Sequence, residues 1–244
     1  MRNYKLSITY DGTRYKGWQR LSYEQNTIQG ILEQAISDLL GYDITINGSG
    51  RTDAGVHANE QIANVKVAGK LNVVEFKKIL NTKLPQDIVV NSMELVKNNF
   101  HGRYSAKGKC YVYSIDQREK PSVFTKQYTY HFPYELNNKE MQKAIDYLVG
   151  THDFTSFCDK KEDKSCVRTI DGIELTQNGH ILTIKYRGDG FLNHMVRILT
   201  GTLLEVGVGK KNAMDIPLII DNKKRLNAGF TAPARGLCLD KVYY

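Results

Sequence analysis

The order of predicted strands and helices in the first hundred residues limits most strongly what this chain can fold into. Residues 4–10 alternate between apolar and polar side chains, which predicts a strand. In residues 28–40 the apolar positions recur three and four apart, as in a helix with one buried face. Asn26 or Thr27 can cap the start of this helix, and Gly41 can end it.

The rest of the first half extends this order. Strands are predicted at residues 43–47, 61–67 and 87–95, and a helix at residues 73–82. The sequence of elements is then strand–helix–strand–strand–helix–strand. This is the ferredoxin-like order, a sheet with helices over one of its faces.

The second half also mixes strands with helices, so the predicted fold class is α+β with mostly antiparallel sheets. The two halves, residues 1–104 and 105–244, are expected to meet at a basic cleft. The second half is predicted to contain strands at 109–115, 128–132, 167–175, 180–186 and 236–244, and helices at 138–149 and 191–206.

The composition indicates a globular protein with an acidic partner. Charged residues make up 25% of the 244 residues and aromatic residues 10%, which excludes a disordered chain. No run is long enough to cross a membrane, and no apolar signal region opens the sequence, so we expect a cytoplasmic protein. The net charge of +8 favours polyanionic partners such as nucleic acids.

The cysteines give no sign of a metal centre or a disulfide framework. Cys110, Cys158, Cys166 and Cys238 form no Cys-x-x-Cys pair and lack the histidine spacing of a zinc site. Free thiols are therefore expected. A metal site at Cys158 and Cys166 with His152 is a remote alternative.

The loop "NGSGRTDAGVHA" at residues 47–58 is the strongest candidate for a functional site. Gly50 and Gly55 have the spacing of a phosphate-binding P-loop, but the lysine and hydroxyl residue that must follow are missing. The dinucleotide fingerprint also fails, because Asp53 stands where its third glycine belongs. Either this is an ordinary surface turn, or the glycines let a ligand approach Asp53 and the nearby Arg51 closely.

Basic residues are interleaved with aromatic residues at two places. Cations beside aromatic rings suit single-stranded or flipped-out nucleic acid, through phosphate pairing and base stacking. A third charged segment, residues 159–168, also holds acidic side chains and is equally well explained as a solvated loop. The two clusters are Arg14, Lys16 and Arg20 near Trp18, and Arg103, Lys107 and Lys109 flanking Tyr104.

One further charge is placed unusually. Arg197 is the only charged residue in the apolar stretch 191–204. Removing the partner of a buried charge costs roughly 3–5 kcal/mol, so we expect a carboxylate to form an ion pair with Arg197. Asp53 is the candidate. Alternatively, the long side chain of Arg197 simply reaches solvent.

Two tyrosines share one face of a predicted strand. The alternation in residues 109–115 places Tyr111 and Tyr113 together. Such tyrosines usually pack in a half-buried sheet. At a cleft, one could instead stack on a base and keep its hydroxyl free for proton transfer.

Several of these segments together resemble the tRNA pseudouridine synthase A family, and the likeness covers nearly the whole chain. The loop motif is the most specific of them. The matching segments are "GSGRTDAGVHA", "YDGTRYKGWQ", "TIQGILEQA", "GFLNHMVRILTGTLLEVG" and "ARGLCLDKVYY".

The resemblance implies the pseudouridine synthase fold and a cofactor-free, metal-free homodimer. Such an enzyme isomerises uridine to pseudouridine in the anticodon stem-loop of tRNA, at positions 38, 39 and 40. The family's catalytic aspartate falls on Asp53, with Arg51 in the same motif. Its active-site tyrosine falls on Tyr111, and the arginine that pairs with the aspartate falls on Arg197.

This chemistry accounts for the residue types in the loop. The bond between base and ribose must break and re-form through carbon, so the nucleotide has to leave its stack. Asp53 would act as nucleophile or base, kept ionised by Arg197. Arg51 would fill the space that the base leaves or grip a phosphate, and Tyr111 would stack on the detached uracil. Arg14, Lys16, Arg103 and Lys107 are the candidates for RNA binding.

Two other classes of function remain open at this level. A non-catalytic RNA-binding protein would bind tRNA without changing a base, but it needs no aspartate in the glycine-rich loop. An aspartate-dependent hydrolase or phosphotransferase would normally need an acidic metal-binding cluster. The acidic residues nearest to Asp53 in sequence are Asp43 and Glu60.

Overall fold

The strands and helices of the computed structural model follow the order that the sequence predicts, with two additional short elements. The structure describes residues 1–24, 26–159 and 165–244. In chain order the elements are β1 (Arg2–Tyr10), α1 (Ile28–Leu40), β2 (Ile46–Gly48), β3 (His57–Val67), α2 (Val73–Lys83), β4 (Ile88–Val96), β5 (Gly108–Asp116), β6 (Tyr130–His131), α3 (Asn138–Leu148), β7 (Gly150–Asp153), β8 (Val167–Asn178), β9 (Ile181–Gly188), α4 (Met195–Gly207), α5 (Ile216–Asn222) and β10 (Leu237–Tyr243). The additions are β7 and α5.

The first of two structural units, Met1–Lys107 with Cys238–Tyr244, is built on a sheet with the strand order β4-β1-β3-β10. β1 is antiparallel to both neighbours, and β2 pairs with β3. β10 runs parallel to β3, with Cys238 opposite His57. The four strands from β1 to β4 therefore lie in the order expected of a ferredoxin-like unit, as predicted.

The second unit, Gly108–Leu237, contains an antiparallel sheet in the order β5-β9-β8-β7, and β6 runs parallel to β5. Helix α3 packs against α4. The predicted α+β class with mostly antiparallel strands is thus confirmed. The sequence places the division of the chain after residue 104; the contacts place it after Lys107 and assign the last strand to the first unit. None of the helices in the described ranges has both the length and the apolar character needed to cross a membrane.

The ends of α1 illustrate how directly the sequence specifies a helix. The side chain of Thr27 accepts a hydrogen bond from the Gly30 amide, as an N-cap does. Gly41 ends the helix at φ 76°, a left-handed conformation that favours glycine. Ile28 and Leu32 are fully buried on the inner face.

Helix α4 begins later than predicted. The apolar pattern placed its start at Phe191, but the first helical residue is Met195. His194, just before it, has φ 59° and so cannot continue a right-handed helix. Its Nδ1 lies 2.6 Å from a carboxylate oxygen of Asp159, a contact between distant residues that holds this conformation and leaves no local sequence signal.

A buried carboxylate organises the loop that follows β5. Asp116 is fully buried and accepts hydrogen bonds from Arg118 Nε at 2.8 Å and Nη2 at 2.7 Å. The Ser122 amide also donates to it, at 3.3 Å. These hydrogen bonds, chiefly those of the Arg118 side chain, outweigh the effect of burial and lower the pKa of Asp116 to about 2.

We expect the second unit to lose stability between about pH 4 and pH 2. The folded-state pKa of Asp116 lies below its unfolded value, so its ionised form stabilises the fold above pH 4, by about 2 kcal/mol, and this is lost as the carboxylate protonates. The pKa values of Asp153 and Asp159 are also lowered, so Asp116→Asn should remove only the Asp116 part of this pH dependence, about 2 kcal/mol, in urea unfolding. The exposed Asp221 provides a control: Asp221→Asn should behave like the wild type. An unchanged pH dependence in Asp116→Asn would contradict the assignment.

Candidate active-site loop

The glycine-rich loop that carries Asp53 joins β2 to β3 and is held at its base by buried polar side chains. Ser49 and Gln61 are both fully buried. Ser49 Oγ donates to Gln61 Oε1 at 2.6 Å, and Gln61 Nε2 donates to the Gly50 carbonyl at 3.1 Å. The Ser49 amide donates to the Ile62 carbonyl. Buried hydrogen-bond networks that are well satisfied restrict movement, so the base of the loop is rigid.

The segment from Tyr10 to Trp18 clamps the middle of the loop. The Trp18 amide donates to the Thr52 carbonyl at 3.0 Å, and the Gly55 amide donates to the Tyr15 carbonyl at 3.3 Å. The hydroxyls of Tyr10 and Thr52 lie 2.7 Å apart. The two sequence motifs, "YDGTRYKGWQ" and "GSGRTDAGVHA", therefore form a single structural element.

Two glycines make this close packing possible. A Cβ atom on Gly12 would lie 2.0 Å from the carbonyl oxygen of Val56. A Cβ on Gly17, which has φ 94°, would lie 2.6 Å from the carbonyl oxygen of Thr52. Any side chain at either position would push the clamp away from the loop, so these glycines determine the shape of the site.

Asp53 and Arg51 lie on the accessible side of this rigid loop. Asp53 is partly exposed next to the buried Thr52, and its carbonyl accepts from the Val56 amide at 3.1 Å in a tight turn. Arg51 is exposed, and its Nε donates to Gln19 Oε1 at 3.1 Å. The loop thus presents a carboxylate and an oriented guanidinium two residues apart.

The second unit contains the two tyrosines singled out in the sequence. Tyr111 lies opposite Tyr186 in the sheet, is 7% exposed, and meets the Phe191 ring edge-on at 5.3 Å between centroids. Tyr113 is fully buried and its hydroxyl donates to the Pro233 carbonyl at 2.7 Å. Burial raises the pKa of Tyr113, so its hydroxyl stays neutral. Tyr113 is therefore a packing residue of the core. Of the pair, only Tyr111 retains any exposed surface, 7% against 0% for Tyr113.

Arg197 lies in the first turn of α4 and is only partly exposed. Its Nε donates to the Ala232 carbonyl at 2.7 Å, and the Ala232 amide donates back to the Arg197 carbonyl at 3.1 Å. These bonds fix the guanidinium to the segment before β10. Asp53 belongs to the other unit, so its pairing with Arg197 stays a prediction of the sequence.

One aromatic residue of the predicted RNA surface is part of the core instead. Trp18 is 2% exposed and packs against the backbone of Gly48, so the expectation that it lies among cations at the surface is wrong. Its neighbour Arg20 forms an ion pair with Glu33 at 2.9 Å. Trp18 therefore supports the loop from beneath and offers no face to a base.

The four predicted RNA-binding cations are all exposed. Arg14 donates twice to Asp87, from Nε at 3.0 Å and from Nη2 at 2.5 Å, which fixes its direction. Lys16 follows in the same clamp segment, and Arg103 and Lys107 lie beyond β4. The three lysines of the charged segment 159–168, Lys160, Lys161 and Lys164, lie outside the described residues.

The alternative of a metal site gains no support. Within the described ranges, no three His, Cys, Asp or Glu side chains are placed to hold an ion. His152 bonds the Val149 carbonyl through Nε2 at 3.1 Å and meets Phe154 edge-on. Neither Cys158 nor Cys166 is part of a disulfide.

Sequence reasoning missed the residues that hold the loop. Tyr10, Thr52, Ser49 and Gln61 look ordinary in the sequence, and only Gln61 gives a signal, as a polar residue at an alternating strand position. The cluster of Asp159, His194 and Arg225 was also missed; its Asp159 oxygens lie 2.6 Å from His194 Nδ1 and from Arg225 Nε.

Comparison with known proteins places this chain in a class of RNA-modifying enzyme. A family model described as tRNA pseudouridine synthase matches residues 6–105 and 144–244. The chain belongs to the tRNA pseudouridine synthase family, and it is accordingly an isomerase.

Similar proteins carry a more particular name. The chain is 46% identical over 245 aligned residues to tRNA pseudouridine synthase A of Bacillus sp. (strain KSM-64), and 45% identical to that of Acetivibrio thermocellus. Both matches cover 100% of each chain. An archaeal box H/ACA sRNP Nop10-Cbf5 complex is a distant likeness, with a TM-score of 0.38 and 11% identity over 82% of this chain and 43% of that one.

Proposed function

We propose that this enzyme isomerises uridine to pseudouridine in the anticodon stem-loop of tRNA, at positions 38, 39 and 40. The observation that carries the proposal is the clamped loop that presents Asp53 and Arg51, in a chain whose family and relatives are tRNA pseudouridine synthases. A homodimer in the cytoplasm is the assembly and location that the resemblance supports.

The reaction needs a bond exchange at the ribose and no change of oxidation state. The bond from uracil nitrogen to the sugar breaks, the base turns, and a bond from carbon 5 to the sugar forms while the carbon 5 proton leaves to water. The nucleotide must first leave its stack to expose these atoms. The close-fitting glycines of the clamp give the loop a fixed surface against which the sugar can be held.

Asp53 acts as the nucleophile or base in this proposal. Asp53 is partly exposed, while the backbone around it is held on both sides, so little reorganisation is needed when the substrate binds. Arg51 grips a phosphate or fills the space that the base leaves, and its bond to Gln19 orients it for either role. Arg197 is the cation that keeps Asp53 ionised.

Tyr111 is proposed to contact the detached uracil and prevent its loss. Its ring is packed edge-on against Phe191, which holds it in one orientation, and in this proposal it stacks on the uracil. The phosphates of the stem-loop are bound by Arg14, Lys16, Arg103 and Lys107, whose charges are exposed.

A tritium-release assay tests the proposal. We expect the enzyme to release tritium into water from tRNA labelled at uracil carbon 5, because that proton is lost when the new carbon bond forms. An RNA-binding protein would bind the tRNA without release, and a hydrolase would liberate another product. Tight binding of several tRNAs by well-folded protein with no release from any of them would refute the function.

A further inference from the structure

The segment at residues 97–107, which follows β4, combines positive charge with an exposed aromatic ring. It contains Lys97, Arg103 and Lys107, all exposed, and no acidic residue. Within the described parts of the chain none of these three makes an ion pair. Tyr104 lies among them with 79% of its surface exposed. The segment therefore exposes an aromatic ring and carries only positive charges.

The segment is rigid because a buried pair of asparagines holds it. Asn3 and Asn64 are almost completely buried, and Asn64 Nδ2 donates to Asn3 Oδ1 at 2.9 Å. Asn3 Nδ2 donates to the carbonyls of Lys97 and Phe100, and Asn64 Oδ1 accepts from the Gly102 amide at 2.8 Å. The fold therefore uses two fully bonded, buried polar side chains to fix the path of an exposed loop.

The same segment rests against the start of the loop that carries Asp53. A Cβ atom on Gly102 would lie 2.5 Å from the carbonyl oxygen of Asn47. The hydroxyl of Tyr244 donates to the Gly102 carbonyl at 2.7 Å, and the Lys107 amide donates to the Tyr243 carbonyl. The position of Tyr104 is thus fixed relative to the candidate active-site loop.

The ring of Tyr104 is itself preorganised. It lies 4.5 Å from the His101 ring between centroids, at an interplanar angle of 43°. His101 Nδ1 accepts from the backbone amides of Arg103 at 3.1 Å and Tyr104 at 3.4 Å, which closes the turn. Ser105 bonds both the amide and the carbonyl of His101. An aromatic ring held in place binds a planar partner with little further loss of freedom.

From these contacts we propose that Tyr104 is a stacking platform for one unpaired base of the bound RNA, a nucleotide other than the target uridine. Rigid aromatic rings flanked by cations are the usual elements of single-stranded nucleic-acid sites. The bases of a duplex hide their faces, so the platform selects RNA that carries an unpaired or splayed-out base. The inference rests on the proposed function, because it assigns part of the substrate's recognition to this residue.

A substitution series at position 104 tests the platform by tRNA affinity at fixed salt. Tyr104→Ala and Tyr104→Leu should weaken binding roughly 5- to 150-fold, since both lose the π-face. Tyr104→Phe should bind within about 2-fold of the wild type, because the face remains. In Tyr104→Trp, bound RNA should quench the fluorescence of the new indole. The natural Trp18 is buried and serves as the internal reference.

The dependence on salt separates stacking from charge. Arg103→Gln or Lys107→Gln should reduce the slope of log affinity against log salt by about 1, whereas Tyr104→Ala should leave that slope unchanged. A scan of abasic nucleotides in the unpaired loop should reveal one position where Tyr104→Ala causes no further loss.

Three results would overturn the platform: unchanged affinity in Tyr104→Ala, equal losses in the Leu and Phe variants, or dissociation of a dimer with unaltered RNA binding. The last result would assign the ring to a contact between protein chains. Tritium release is read separately. Normal release with an unaffected Tyr104→Ala variant rejects only the platform, and a stacking effect without release rejects only the isomerase.

Discussion

Asp53→Asn should keep tRNA binding and lose pseudouridine formation by about 10³-fold or more. The amide of asparagine has nearly the size of the carboxylate but is neither an effective nucleophile nor a base. The backbone of the loop is held by the Tyr10–Trp18 segment and by Ser49 and Gln61, so the substitution should leave its path intact. Tritium release under single-turnover conditions and a separate measurement of tRNA affinity check both parts.

A matched control uses an acidic residue close by in sequence. Asp43 is exposed before β2, and Asp43→Asn should have wild-type affinity and rate. Turnover of Asp53→Asn within a few fold of the wild type would remove Asp53 from the chemistry. A variant that has lost both binding and release would instead point to a damaged loop, which a thermal melt would detect.

The same variant also tests the pairing with Arg197. Arg197→Ala loses a hydrogen bond to Ala232 whatever else it does, so a lower melting temperature in that variant alone is not diagnostic. In a double-mutant cycle with Asp53→Asn, a direct pair should appear as a coupling of about 0.5–3 kcal/mol. Strict additivity of the two stability changes would show that Arg197 supports only its own unit.

Trp18→Ala should destabilise the first unit by about 3–5 kcal/mol, the usual cost of truncating a large core aromatic residue. The indole is 2% exposed and packs tightly against the backbone of Gly48 at the entry to the loop. The melting temperature should fall by roughly 6–20 °C for a protein of this size. Differential scanning calorimetry, with circular dichroism to confirm that the variant is folded at low temperature, measures the change.

Two further variants serve as controls for Trp18→Ala. Trp18→Phe keeps most of the apolar contact and should lose less stability than Trp18→Ala. Tyr23→Ala, at a side chain 85% exposed, should change stability by about 0.5 kcal/mol or less. If Trp18→Ala melted like Tyr23→Ala, the indole could not be the support beneath the loop.

Some of the features behind these expected effects can be predicted from the sequence, and others are visible only in the structure. The ends of helix α1 were predicted, with Asn26 or Thr27 as the N-cap and Gly41 at the end, because apolar spacing and capping residues act locally; the structure selects Thr27. The start of α4 was placed four residues too early, because the conformation of His194 depends on Asp159, which is far away in sequence. Trp18 was misplaced for a similar reason: its cationic neighbours suggested a surface, and its packing partner Gly48 belongs to another element.

In the candidate site, too, some residues could be predicted from the sequence and others could not. The motif around Asp53 was identifiable from the letters alone, since its residues do not fit two phosphate-binding loops and resemble the motif of one family. The residues that hold the motif in shape were not, because Ser49, Gln61 and Thr52 are common residue types whose role arises only from long-range contacts. Nor did the sequence indicate β7 and α5, which span four and seven residues and are too short to show a clear period.

The place of β10 has a consequence for how the protein is made. This strand lies alongside β3 where β3 leaves the Asp53 loop, with Cys238 opposite His57 and Leu239 opposite Ala58. A ribosome therefore synthesises the whole of the second unit before the strand that completes the first. Until then the nascent chain carries an incomplete first unit with an open β3 edge beside the Asp53 loop, so the first unit should become stable only after the second unit has been synthesised.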